Sequence, residues 1–211
     1  MTYFPHDLIK LNEVQHLVNF AELPQWAKDS LLRAPFVVVR RGSQINGQIP
    51  VGIRGLLKAQ RAAAVVAEEN VAQKISPFQL VQSQKWTFVE KIRQQLPVFQ
   101  ALPAVVPILE PFEWGIGGSC EYELASGVPM VNVNSDLDII VKHFAKLSAT
   151  QAQTLLAKLN QFGVHIDLQV VTDQNGFSLE EFANARSRTV LIKTSGGPQL
   201  ATDPWQAIQE L

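Results

Sequence analysis

The chain has 211 residues, 46% apolar and 18% charged, with a net charge of −1. That composition fits a globular protein able to bury a real core and excludes a disordered chain. It also excludes any general attraction to nucleic acid or to an anionic membrane, so an anionic ligand must be gathered by a local basic cluster. Cys120 is the only cysteine, which rules out an intrachain disulfide. With no apolar run of about 18 residues and no basic-then-apolar plan in MTYFPHDLIK, the expectation is a soluble, cytoplasmic protein.

In chain order, Pro5-His6-Asp7 opens a mixed segment, and Leu23-Pro24-Gln25-Trp26 starts a short helix that Pro35 stops. The β-branched run Phe36 to Arg41 predicts a strand, Gly42 to Gly47 a turn and Ile49 to Arg54 the returning strand of an antiparallel hairpin. After Gly55, the alanine-rich stretch from Leu56 to about Gln73 predicts a helix with Lys58 and Arg61 in its first turns. Arg40, Arg41, Arg54, Lys58 and Arg61 then read either as an anion-gathering patch or as solvated strand and helix ends. Pro77 to Leu96 predicts another helix. The connection at about 97–112, with Pro97, Pro103 and Pro107, is the expected domain boundary, or holds a short helix entered at Pro103. It would divide an N-terminal domain, 1–96, with the basic hairpin, from a catalytic domain, 97–211.

The second half has clean local signals. Trp114 to Val141 carries Gly117-Gly118-Ser119 and then Ser135-Asp136-Leu137-Asp138 opening the apolar strand Ile139-Ile140-Val141. Ser148 and Gln151 form a capping box, and Ala152, Leu155, Leu156, Leu159 and Phe162 follow the helical period until Gly163 stops it. Val164 to Val170 alternates as a strand with one buried face, so a strand-helix-strand crossover is expected. Ser178 to Glu181 caps a helix reaching about Ala185, and Thr189 to Thr194 is a last strand closed by Ser195-Gly196-Gly197-Pro198. The fold class is α+β: a mixed sheet with flanking helices, preceded by a small N-terminal domain containing a β-hairpin and helices.

Residues two apart on a strand share a face, which puts Asp136 beside Asp138 and, on the next strand, Asp167 with His165 and Gln169. If the strands are neighbours, three carboxylates cluster, and such a cluster repels itself unless a cation sits in it. Oxygen ligands of this kind suit Mg²⁺ shared with a polyphosphate. Gly118 and Ser119 suit phosphate contact through backbone and hydroxyl. An Asp-x-Asp alone is a weak signal; the ordered combination of Gly-Ser, Asp-x-Asp and a later strand Asp is the specific one. His165 reads as structural or solvent-facing, Cys120 as a small packing residue, and Trp86, Trp114 and Trp205 as core or interface. Nothing in its local spacing gives His6 a chemical role.

This arrangement resembles the nucleotidyltransferase superfamily. The chain as a whole resembles the malonate decarboxylase holo-acyl carrier protein synthase family, the phosphoribosyl-dephospho-CoA transferases. The resemblance rests on Pro5-His6-Asp7-Leu8, Pro50 to Gly55 with Gln60-Arg61, Gly118-Ser119, Glu123 to Gly127, Ser135 to Asp138 and Asp203-Pro204-Trp205. It implies a donor, 2′-(5″-triphosphoribosyl)-3′-dephospho-CoA, and an acceptor serine on the apo acyl carrier subunit of malonate decarboxylase. It implies Mg²⁺ (or Mn²⁺) on Asp136, Asp138 and Asp167, with Asp167 either completing the metal site or accepting the serine proton. Gly118, Ser119 and Arg54, with Arg61 or Lys193, would then contact phosphate. The residues by themselves also admit another nucleotidyltransferase, acting on a protein or small molecule, or a noncatalytic binding protein of the same fold.

Overall fold

A computed structural model describes residues 2–142, 144–184 and 188–210. The fold is α+β, built as two sheets with a helix wedged between them. The first is antiparallel, made of β1 (Leu8–Leu11), β2 (Phe36–Val39), β3 (Gln48–Arg54), β4 (Arg61–Ala67) and β5 (Val71–Ile75) in the order β4-β3-β2-β1-β5. Helix α1 (Gln25–Arg33) ends before Pro35 as its sequence predicts, and packs Ala27 and Leu31 against Val37, Val51, Ile53 and Val66. The expected β2–β3 hairpin forms, with Val38 opposite Gly52 and Val39 opposite Val51.

The helix predicted from Leu56 to Gln73 does not exist. The chain makes a tight turn in which Gly55 N–H donates to the Gln60 carbonyl at 3.0 Å, then runs back as β4, with Arg61 opposite Arg54 and Ala63 opposite Gly52. Alanine's helix propensity loses to the period-two burial of Ala64 and Val66, which fill the core under α1. Gly55 is required at the turn, because a Cβ there would fall 2.6 Å from Gln60 Cβ and 2.9 Å from the Trp26 ring. A second turn, at Glu68–Asn70, sends the chain into β5, anchored by buried Asn70 bonding Glu13 N–H and carbonyl, each at 2.9 Å.

Helix α2 (Pro77–Gln82) starts at a Ser76–Gln79 capping box but stops well short of Leu96. Ser83 folds its hydroxyl back onto the Gln79 carbonyl at 2.8 Å, and Gln84 turns left-handed at φ 45°. Leu80 and Trp86, expected in the N-terminal domain, belong to the larger core of the second sheet. The proline-rich connection is itself a helix, α3 (Pro97–Leu109), carrying Pro103 and Pro107 inside it. Pro103 and Pro107 lie four apart on the exposed face, while Val98, Leu102, Val105 and Leu109 bury the other face.

The second sheet contains β6 (Glu113–Ile116), β7 (Leu137–Lys142), β8 (Ile166–Val171), β9 (Gly176–Ser178), β10 (Val190–Thr194) and β11 (Gly197–Ala201), in the order β11-β10-β9-β8-β7-β6. Helix α4 (Gly118–Ser126) joins β6 to the segment before β7. Helix α5 (Ala149–Leu159), capped by Ser148 and Gln151 as expected, links β7 to its parallel neighbour β8, and Gly163 takes φ 76° after it. Helix α6 (Leu179–Asn184) follows Ser178; its expected end at about Ala185 lies outside the described residues. Helix α7 (Pro204–Glu210) starts where Asp203 Oδ1 accepts from Trp205 and Gln206 N–H. Trp86, Trp114 and Trp205 are buried, and Cys120 packs in the same core, its thiol pushed well above the ordinary range by burial. Among the described residues no helix is long and apolar enough to cross a membrane.

Helix α4 is the wedge. Cys120 and Leu124 face the large core, while Tyr122 packs against Leu8, Ala34 and Phe36 of the first sheet, edge-on to the Phe36 ring at 6.3 Å. The same helix therefore fixes the Gly-Ser loop to both sheets.

Candidate active site

The site is assembled where α4 begins. Gly117 N–H donates to the Asp138 carbonyl at 2.9 Å, tying the loop to β7. Gly118 sits at φ 67°, and a Cβ there would overlap the Asp138 carboxylate. Glycine is thus demanded twice, by backbone conformation and by the approach of the acid. Ser119 follows, lining the cleft.

The β7–β8 pairing is parallel and in register, with Asp138 opposite Asp167, so the strands expected to be adjacent are adjacent. Asp136 precedes β7 by one residue and turns toward Lys58, whose Nζ lies 3.4 Å from its Oδ2. Asp136, Asp138, Asp167 and Ser119 line one cleft of about 260 Å³, with Arg54, Lys58 and Arg61 opposite them. The cations come from β3, β4 and the turn between them. The basic residues predicted on a helix are thereby placed on a hairpin tip that overhangs the acids.

Burial pushes the Asp138 carboxyl above its ordinary value; Arg54 and Arg61 pull it down, and Asp167 and Asp136 push it further up. Among the described residues no three acid, histidine or cysteine side chains are drawn together tightly enough to enclose a metal ion. Asp136 is engaged with Lys58, which leaves two carboxylates side by side and a third on the same cleft wall. This all-oxygen donor set, its central member raised in pKa by burial and then by two like charges, fits a hard divalent cation.

Lys193 is not part of that cleft. Its Nζ donates to Gln169 Oε1 at 2.9 Å, and Gln169 Nε2 in turn reaches Asp167 Oδ1 and Oδ2 at 3.2 and 3.3 Å. Lys193 therefore touches the site through Gln169, which orients Asp167. His165 points elsewhere, pairing with Glu180 at 3.4 Å on the surface.

Three side chains have roles that sequence reasoning did not assign. Glu123 accepts both Arg93 Nε and Nη2, at 2.9 and 2.7 Å, and the N–H groups of Met130 and Val131 at 2.7 and 2.8 Å. It pins the segment that delivers Asn132, Ser135 and Asp136. Glu121, on the same helix, is buried, with Oε1 lacking a hydrogen-bond partner among the described residues. Burial, against the pull of Arg54 and with added push from Asp7 and Asp138, holds its carboxyl well above the usual range. His6 adopts φ 78° and accepts from Arg41 Nη2 at 3.4 Å; burial and the charges of Arg41, Lys193 and Arg54 hold it down to about 3. Two acidic positions just after a Gly-Ser loop were the only available signal for Glu121 and Glu123, and His6 needed the tertiary structure.

Residues 4–77 match the phosphoribosyl-dephospho-CoA transferase MdcG N-terminal domain, and residues 83–204 match the corresponding MdcG C-terminal domain. A phosphoribosyl-dephospho-CoA transferase of Pseudomonas syringae pv. tomato is 39% identical over 206 residues, 95% of this chain and 92% of the relative. Its namesake in Pseudomonas fluorescens is 39% identical over 187 residues, 88% of this chain and 87% of the relative. One from Klebsiella pneumoniae is 34% identical over 203 residues, 95% of each. No solved structure matches the chain. Two domain matches that meet across almost the whole length, and relatives aligned nearly end to end, place this chain in the phosphoribosyl-dephospho-CoA transferase family of enzymes.

Proposed function

We propose that the chain transfers the phosphoribosyl-dephospho-CoA group from 2′-(5″-triphosphoribosyl)-3′-dephospho-CoA to a serine of the apo acyl carrier subunit of malonate decarboxylase, releasing pyrophosphate. The observation that carries this reading is the in-register pair Asp138 and Asp167, with Asp136 on the same cleft and a basic hairpin facing them. Acids on one wall and cations on the other suit a polyphosphate with its counter-ion. The donor follows from the family; the carrier subunit and the cytoplasmic setting extend the resemblance.

In this mechanism the serine Oγ attacks the α-phosphorus, the bond to the β-phosphate breaks, and pyrophosphate leaves with the electron pair. Asp136, Asp138 and Asp167 would hold Mg²⁺ or Mn²⁺, which would neutralise the phosphates and stabilise the attacking and leaving oxygens. Gly118 and Ser119 hold the outer phosphates through backbone N–H and hydroxyl. Arg54 and Arg61, opposite one another on the hairpin, balance the negative charge. Asp167, steadied by Gln169 and Lys193, is the third metal ligand or, when off the metal, the group that takes the serine proton.

The test is intact-mass analysis of the apo carrier subunit after incubation with the donor, Mg²⁺ and the enzyme. A gain equal to one phosphoribosyl-dephospho-CoA group, lost in Asp138→Ala, supports the reading. No gain, with an acceptor labelled from ATP instead, overturns it in favour of another nucleotidyltransferase.

A further inference from the structure

Arg54 lines a second pocket as well as the aspartate cleft. This pocket, of about 420 Å³, lies between the first sheet and the end of β10. His6, Arg40, Arg41, Lys193 and Ser195 contribute to its lining, and no carboxylate does. Among the described residues none of Arg40, Arg41, Arg54 and Lys193 is ion-paired to an acid. Arg41 spends only part of its guanidinium, donating from Nε to the Gln174 carbonyl at 3.2 Å and from Nη2 to His6. Arg41, Arg54 and Lys193 are half-buried; Arg54 and Lys193 feel the aspartates of the neighbouring cleft, whereas burial acts on Arg41 with no opposing negative charge. Such an arrangement costs free energy unless an anion completes it. Burial brings Arg41 down to about 10; burial and the Arg41 charge lower Lys193, while Asp167, Asp138 and Glu181 pull it back up.

We propose that this pocket is a second phosphate subsite, which grips the 5′-diphosphate of the donor's dephospho-CoA portion while the aspartate cleft handles its triphosphate. The inference rests on the donor named above. That donor carries two separate polyphosphate groups, one on each of two linked riboses, and the chain has two anion-suited pockets that share Arg54. The guanidinium forks of Arg40, Arg41 and Arg54 match the planar, two-oxygen presentation of phosphate, with Lys193 as a point charge at the far wall. The volume exceeds what one phosphate needs and falls in the range of small-molecule sites. Recession of three of the four cations favours a narrow phosphate chain over the flat face of an acidic carrier protein.

The test uses the full chain and two probes, dephospho-CoA for this pocket and tripolyphosphate with Mg²⁺ for the aspartate cleft, each titrated by calorimetry. Arg41→Gln should weaken dephospho-CoA by about tenfold or more and leave tripolyphosphate within about twofold, and Lys193→Gln should weaken dephospho-CoA to a similar extent. Asp138→Asn should do the reverse. Arg41 also bridges the two sheets, so Arg40→Gln, on an exposed side chain, guards against misfolding and should give a smaller loss of the same kind. The proposal is overturned if dephospho-CoA fails to bind the unaltered chain, or binds the Arg41 and Lys193 variants as well as it binds the unaltered one. It is also overturned if these variants keep dephospho-CoA but lose the apo carrier subunit, which would give the pocket to the carrier. Dephospho-CoA held through Arg41 and Lys193, in a chain that modifies no carrier, would leave this subsite standing and sink the transfer reaction alone.

Discussion

The six-stranded sheet brings the acids to the cleft and the five-stranded sheet brings the cations, and the two sets are held in different ways. Asp138 and Asp167 stand on adjacent parallel strands whose alternate residues, Leu137, Ile139, Ile166 and Leu168, are fully buried. Arg54, Lys58 and Arg61 stand around a hairpin tip, where Arg61 and Lys58 are exposed and Leu56 and Leu57 face water. One wall is fixed by a core and the other by a turn. The acids should therefore be intolerant of any change, and the cations should be graded by how deeply each is seated.

The largest effect tests the rigid wall. Asp138→Ala should reduce transfer by about a thousandfold or more while the protein stays folded, as read by carrier mass shift and circular dichroism. Gly118→Ala should approach the same loss without touching an acid, because the new methyl group displaces the Asp138 carboxylate and strains a φ of 67°. A Gly118→Ala enzyme of ordinary activity would mean that the close approach of loop and acid does not matter.

The same contrast explains what was legible in the sequence. The β7–α5–β8 unit was readable because capping box, helical period, Gly163 and strand alternation all agree, and its apolar positions coincide with the buried ones. The hairpin was not, because Ala62 to Ala67 has helical propensity and its strand identity comes from pairing with β3 and from burial under α1. Thus the three acids and the Gly-Ser loop were found with the right neighbours, while Arg61 was found on the wrong element. Helix α3 was half legible: the sequence admits a boundary or a short helix entered at Pro103, and both Pro103 and Pro107 fall on the solvent face of a longer helix whose other side is core. Glu123 entered only within the family resemblance and Glu121 was passed over, because burial of a charged helix face has no local signature.

Next in size is the support beneath the segment that leads into Asp136. Glu123→Ala would leave Arg93 and two backbone N–H groups without their acceptor. The expected cost is about 3–5 kcal/mol of stability, read as a fall in denaturation midpoint. Transfer should fall at temperatures where the chain is still folded, since Asn132, Ser135 and Asp136 hang from that segment. A smaller effect is expected on the basic wall. Arg54→Ala should lower kcat/KM by about ten- to a hundredfold, more than Arg61→Ala, because Arg54 is half-buried and serves both pockets.

Acidity separates the aspartate wall from His6, which lies outside the cleft. Asp138 is held above its ordinary value of 3.8, so the folded chain binds that proton more tightly than the unfolded chain does. Its contribution to stability is then present at low pH and lost as pH rises through the window above 3.8. Asp138→Asn should raise Tm at pH 8, and the gain should shrink toward pH 4. His6 runs the other way: lowered from 6.5 to about 3, it favours the folded chain at neutral pH, and that stability drains away as pH falls below 6.5. His6→Gln should flatten the decline between pH 6.5 and 5. Equal slopes for the two proteins would show that His6 carries no part of it.

The smallest effect is the most diagnostic of how the hairpin tip works. Lys58 has an 85% exposed side chain and meets Asp136, itself 41% exposed, at 3.4 Å. A pair so open to water is screened and contributes little to stability, so Lys58→Ala should leave Tm unchanged. Its charge still faces the cleft, and its loss should slow transfer by about two- to fivefold at low salt, with the difference vanishing near 0.5 M salt, where the screening length is only about 4 Å. Arg54→Ala should keep most of its deficit at the same salt, because a half-buried guanidinium is shielded from the ions that screen Lys58. If both deficits disappear together, Arg54 and Lys58 act alike, as a diffuse field on the incoming donor; if only the Lys58 deficit does, the hairpin grips phosphate with one residue and merely attracts it with the other.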